Sequence, residues 1–208
     1  MYFDRKCKIT FISHGATIYT DENRFTDIEN YPPLSDFGQE EIERICDFLK
    51  IRRVKNDVIY ASNSPRVLQS AKMISKVYKT NAITIDSLKP RKCGKLLNMT
   101  VNQAEVRCPD LLKSWYINPE YDETLEAEPI KDFATRVDAC IKSIVEDNIG
   151  NRVIIVTYPD VIQAAIASAI GIPYDKLSQV YIKTGSATQI SYYENFNSLI
   201  YSDYKPIY

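Results

Sequence analysis

At 208 residues and 45% hydrophobic content the chain can bury one sizeable core, and a single domain over 1–208 is the expectation. Its 26 basic and 27 acidic side chains leave a formal net charge of -1, which excludes a global field holding it on nucleic acid or a membrane surface. No apolar run approaches the roughly eighteen residues of a membrane span, and "MYFDRKCK" lacks the apolar middle of a signal peptide. A cytoplasmic protein without nucleic-acid or membrane partners is therefore expected, with oligomerisation left open.

The first predicted element is a buried strand at 9–13, "ITFIS". It ends at His14, the only histidine in the chain, followed by Gly15, which would permit a turn exposing the ring at the strand's carboxyl end. A helix over 38–50 follows, with Ser35 placed to cap it. Cys46 within it and Arg52 just beyond it have the Cys-x5-Arg spacing of thiol phosphatases, but Ile42, Ile45, Cys46 and Leu49 share one helical face, which favours a packing role. The other cysteines, Cys7, Cys93, Cys108 and Cys140, are scattered without any Cys-x-x-Cys pair, so neither a disulfide framework nor a zinc site is expected.

A second strand at 57–62 runs through a small polar turn into a helix over 65–78, whose start carries Arg66. Arginine at such a strand-to-helix junction can grip phosphate with two hydrogen bonds beside the positive end of the helix dipole. A third strand at 82–86 leads to the basic group Lys89, Arg91, Lys92 and Lys95, and then to a helical pattern over 101–116. The segment 114–130 holds two prolines and five acids and suits a surface loop or a lid beside a site. A helix over 130–147, a buried strand at 152–158 and a helix over 159–170 come next. Pro159 sits in the first turn of the last helix and Gly171 with Pro173 ends it. A strand at 187–193 precedes a Tyr- and Asn-rich tail.

Strands alternating with helices of this length predict a three-layer α/β/α fold with a mostly parallel central sheet, whose ligands bind beyond the strands' carboxyl ends. The ends of the strands at 9–13, 57–62 and 152–158 would then meet in one composite pocket.

These motifs, in this order, resemble the histidine phosphatase superfamily, the phosphoglycerate mutase-like fold. "FISHGAT" is similar to its Arg-His-Gly-Glu-Thr motif, "PLSDFGQEEIERICDFL" to its Pro-Leu-Thr-x-x-Gly-x-x-Gln helix, and "SNSPRVLQSA" to Ser-Pro-Leu-x-Arg-Ala-x-Gln-Thr-Ala. "EPIKDFATRV", "VIIVTYPDVIQAAI" and "GSATQISYYE" resemble the family's later helix, second-histidine strand and closing strand. The resemblance covers residues 8–194 and implies that His14 occupies the position of the nucleophile that becomes phosphohistidine, and Arg66 that of the second phosphate-binding arginine. It also exposes departures. Ser13 stands where the family has its first arginine, Tyr158 where it has its second histidine, and Pro90 where it has its acid. Thr20 falls near the position of a frequent asparagine.

With one histidine in the chain, no second one can be recruited from elsewhere. Ser13 and Tyr158 could each supply a neutral hydrogen bond to phosphate, Lys89 and Arg91 could restore positive charge, and Glu128 and Asp160 are candidate replacement acids. Of these, Asp160 would repel phosphate unless protonated or turned away and is not favoured as a ligand. No cofactor or metal is expected. The resemblance with its departures implies a degenerate member that binds a phosphorylated small molecule or phosphoprotein with weak or no turnover. A phosphomonoesterase working through phospho-His14, and an interaction protein with a vestigial site, are the alternatives.

Overall fold

The computed structural model describes residues 5–27, 32–117 and 124–206. Six strands form one sheet: β1 (Arg5–Ser13), β2 (Val58–Ala61), β3 (Ala82–Thr84), β4 (Arg152–Thr157), β5 (Ala187–Tyr193) and β6 (Asn197–Tyr204), in the spatial order β3-β2-β4-β1-β5-β6. β1 to β4 are mutually parallel, whereas β5 runs antiparallel to β1 and β6 antiparallel to β5. The expected α/β architecture with a mostly parallel sheet is thus present. Ile9, Phe11 and Ile12 of β1 and Val153 to Val156 of β4 are all buried, as helices on both faces require of continuous apolar runs.

The helices are α1 (Ile18–Asp21), α2 (Asp36–Ile51), α3 (Pro65–Tyr78), α4 (Val101–Arg107), α5 (Pro109–Tyr116), α6 (Ile130–Asp147) and α7 (Pro159–Ile170). Ser35 caps α2, its hydroxyl accepting the Gly38 N–H at 3.1 Å. Pro159 opens α7 and Gly171 closes it in the left-handed region at φ 77°.

Three elements differ from expectation. The pattern over 101–116 is two helices, because Pro109 has no N–H to continue the first, and Cys108 leaves helical geometry at φ -150°. The third strand stops at Thr84 and passes into a 3-10 turn at Asp86–Leu88. The Tyr- and Asn-rich tail contains the edge strand β6.

Cys46 is buried in α2, and burial pushes its thiol up to about 11, so it is packing and not a thiolate nucleophile. Of the 114–130 segment, residues 118–123 lie outside the described residues. Leu125 and Ala127 pack with Phe25, Cys93, Leu96 and Ala104 in a second apolar cluster, separate from the main core at the sheet. Among the described residues no helix is long and apolar enough to cross a membrane.

Candidate active site

The parallel register aligns the carboxyl ends of β1, β2 and β4, and the turns that follow carry His14, Ser62 to Ser64 and Tyr158. His14 is fixed by its backbone: its N–H donates to Thr157 O at 3.0 Å and its carbonyl accepts the Gly185 N–H at 2.9 Å. Gly15 does not serve the turn through positive φ. A Cβ on it would lie 2.2 Å from Gly38 O, so its role is to let the loop touch the start of α2.

The ring is not exposed as the turn suggested; His14 is 5% accessible and meets solvent through a cavity of about 420 Å³. Its Nδ1 lies 2.8 Å from Gly15 O. A carbonyl only accepts, so Nδ1 carries the proton and Nε2 keeps its lone pair. Burial, and then the Arg66 guanidinium, push the imidazole down to about 3, so His14 is neutral near pH 7.

Tyr158 lines the cavity and meets the His14 ring edge to face, the centroids 5.2 Å apart. Its hydroxyl is committed to Ser64 Oγ at 2.5 Å. The Arg66 guanidinium lies over the same tyrosine ring at 4.9 Å, and donates to Asp27 O at 3.3 Å and Thr26 Oγ1 at 3.5 Å. Arg66 is thus beside the nucleophile position, but at 2% accessibility it is not part of the cavity lining. Ser13 is also fully buried and outside the lining, its hydroxyl without a hydrogen-bond partner among the described residues.

Thr20, Pro90 and Arg91 do line the cavity. Thr20 also completes the cap of α1 with Thr17. Lys89 instead pairs with Asp86 at 3.0 Å. Glu128 is not a free acid: both its oxygens accept from Arg136, Oε1 from Nε at 2.9 Å and Oε2 from Nη2 at 2.8 Å. Arg136 also donates to Ser87 O at 2.8 Å and Lys89 O at 3.1 Å, so this pair anchors the loop that carries Arg91. Arg136→Met is expected to cost about 2 kcal/mol, since it orphans a half-buried carboxylate and two carbonyls. Urea unfolding curves that superimpose on wild type would contradict this anchoring role.

The carboxylate that does face the cavity is Asp160, at the start of α7. Burial pushes it up to about 6, against the pull of two backbone donors, Arg91 N–H at 2.7 Å and Val161 N–H at 2.8 Å. Sequence reasoning weighed Asp160 and set it aside, and it missed the aromatic wall: Phe25, Trp115, Tyr116 and Phe133 line the same cavity. Trp115 lay inside a helical pattern, where an aromatic reads as packing.

Residues 9–202 match the histidine phosphatase superfamily (branch 1). The chain belongs to that superfamily. A relative from Yersinia pestis, named probable phosphoglycerate mutase GpmB, is 18% identical over 188 residues, covering 90% of this chain and 86% of its own length. Among solved structures, the superfamily member superposes on the alpha-ribazole phosphatase from Shigella flexneri with a TM-score of 0.83 at 19% identity, over 96% of this chain and 98% of that one. It superposes on a mycobacterial glucosyl-3-phosphoglycerate phosphatase, solved with VO3, with a TM-score of 0.78 at 17% identity, over 92% and 97%. Identities this low establish a shared fold and not a shared substrate.

Proposed function

We propose that this histidine phosphatase-fold protein binds a phosphorylated small molecule in the cavity beside His14 and turns it over weakly or not at all. The observation that carries this reading is Tyr158, whose ring contacts His14 on one side and the Arg66 guanidinium on the other. Phosphoryl transfer asks a protein mainly to position groups and to stabilise charge on the transferring oxygens. Here a neutral ring stands at the second-histidine position with its hydroxyl donating to Ser64, and Arg66, itself outside the cavity lining, donates to Asp27 O and Thr26 Oγ1. Loss of one preorganised donor typically costs about 10² to 10³ in rate. A cavity of about 420 Å³ with aromatic walls suits a small molecule better than a phosphoprotein segment.

A second reading, a phosphomonoesterase working through phospho-His14, is favoured by one feature: the Nδ1 contact with Gly15 O leaves Nε2 ready to attack phosphorus.

The two separate in one experiment, wild type and His14→Asn titrated with phenyl phosphate while thermal stability and released phenol are followed. The first reading expects dose-dependent stabilisation, about 2.7 kcal/mol at 100 times the dissociation constant, with phenol release at background. Rapid release abolished in His14→Asn would establish the second. Neither stabilisation nor release would leave the interaction-protein reading.

A further inference from the structure

A buried carboxylate, Glu41, holds the His14 turn from two sides. It lies in α2 at 2% accessibility, on the glutamine of the Pro-Leu-Thr-x-x-Gly-x-x-Gln pattern. Its Oε2 accepts the N–H of Ala16, two residues beyond His14, at 2.8 Å. Its Oε1 accepts the Thr184 hydroxyl at 3.4 Å, and its side chain lies so close to Gly185 that a Cβ there would be 2.4 Å from Glu41 Cβ. Gly185 in turn donates its N–H to the His14 carbonyl at 2.9 Å. One carboxylate therefore ties the loop after β1 to the loop before β5, and both loops hold His14. The cation that pairs with it among the described residues is Lys205, one residue beyond β6. The Lys205 Nζ donates to Oε1 and lies 5.7 Å from the Phe37 ring centroid at the start of α2, while 35% of the lysine side chain stays exposed. A charge taken out of water needs a partner, and removing one member of such a pair costs more than replacing both by neutral groups. Glutamine at this position could still accept the Ala16 N–H and would need no cation.

We propose that Glu41 and Lys205 are positioning residues for His14: the lysine after β6 neutralises the carboxylate that clamps the two loops, so the His14 turn keeps its place only while Lys205 is docked on α2 and charged. The half-exposed lysine thereby makes the segment after β6 a control point for a site it does not touch. The clamp goes beyond the ligand reading and holds whether His14 binds phosphate, attacks it or does neither.

The test compares wild type, Lys205→Met, Lys205→Arg, Glu41→Gln and the double variant Glu41→Gln/Lys205→Met by thermal unfolding and by the ring resonances of the single histidine. Lys205→Met keeps the apolar stem but leaves Glu41 without a counter-charge, and is expected to lower Tm by about 4 °C or more and to shift the His14 resonances. Lys205→Arg, which keeps the charge, should preserve both. With glutamine at 41 the same methionine substitution should change neither, because the pair it would break is already gone. Wild-type Tm and ring signals in Lys205→Met overturn the clamp. An equal shift in the glutamine background overturns it too, since the lysine would then act by packing on Phe37. Should Lys205→Met not fold, a folded double variant supports the clamp and an unfolded one overturns it. Phenyl phosphate titration of the same proteins tests the ligand reading separately: binding by none of them counts against that reading, while Tm and the ring signals still decide the clamp.

Discussion

Between about pH 6.5 and pH 4.5 wild type is expected to lose roughly 3 kcal/mol of stability relative to His14→Asn. The unfolded chain takes a proton on His14 near the ordinary histidine value of 6.5, whereas the folded protein resists until about 3. In that interval the unfolded state binds more protons, so stability rises with pH at about 1.4 kcal/mol per unit. The contribution is complete above pH 6.5 and is lost as pH falls toward 3, for a total of about 4 to 5 kcal/mol. Asp160 works in the opposite sense. Raised from 3.8 to about 6, it favours folding below pH 3.8 and loses that contribution as pH rises through 6. It titrates in both proteins, so the difference between them isolates His14. Asparagine suits the comparison because its side-chain amide can still donate to Gly15 O without taking a charge. Parallel stability curves for the two proteins over this range would refute the buried neutral imidazole. Because the chain has a single histidine, its ring resonances read the same titration directly and should not move until well below pH 5.

What the sequence revealed and what it hid divide along locality. The turn into α7 was legible because Pro159 and Gly171 act through their own backbone angles, and β1 because an unbroken apolar run belongs between two helical layers. β6 was not, since Leu199, Tyr201 and Tyr204, which pack against the core, are only partly buried and stand among Asn, Ser and Asp, so the alternation is weak. In the site, the position of His14 followed from a strand followed by glycine. The engagement of Arg66 did not, because it depends on the Tyr158 ring and on residues 26–27, some forty positions upstream of it. Likewise the basic run 89–95 was visible, but not which member turns inward. Lys89 has an acid three residues back to hold it at the surface, and Lys92 is exposed, whereas Arg91 meets the Trp115 face and the Glu128 carbonyl. Glu128 read as a spare acid until its partner eight residues ahead, across Pro129, came into view.

Gly38→Ala is the substitution expected to disturb the His14 turn most while touching no residue of the cavity lining. The first turn of α2 and the loop after β1 meet backbone to backbone: a Cβ on Gly38 would lie 2.0 Å from Ala16 O and 2.7 Å from Ala16 N. Three hydrogen bonds hold the same patch closed, Ser35 N–H to Ala16 O at 3.0 Å, Ser35 hydroxyl to Ala16 O at 3.3 Å and Ala16 N–H to Glu41 Oε2 at 2.8 Å. Backbone on both sides cannot move aside as a flexible side chain would, so the helix must back away and carry Ala16, and with it the His14 turn. A cost of about 3 kcal/mol or more follows from overpacking at this closeness, a fall of roughly 6 to 12 °C in Tm for a chain of this size. Gly171→Ala separates crowding from backbone strain. An added Cβ there meets nothing within 4 Å, and only the φ of 77° is penalised, at about 1 kcal/mol. Gly38→Ala should therefore be the more damaging of the two and should alone displace the His14 ring resonances. Equal costs, or unmoved imidazole signals in Gly38→Ala, would mean that the α2 contact does not position the His14 turn.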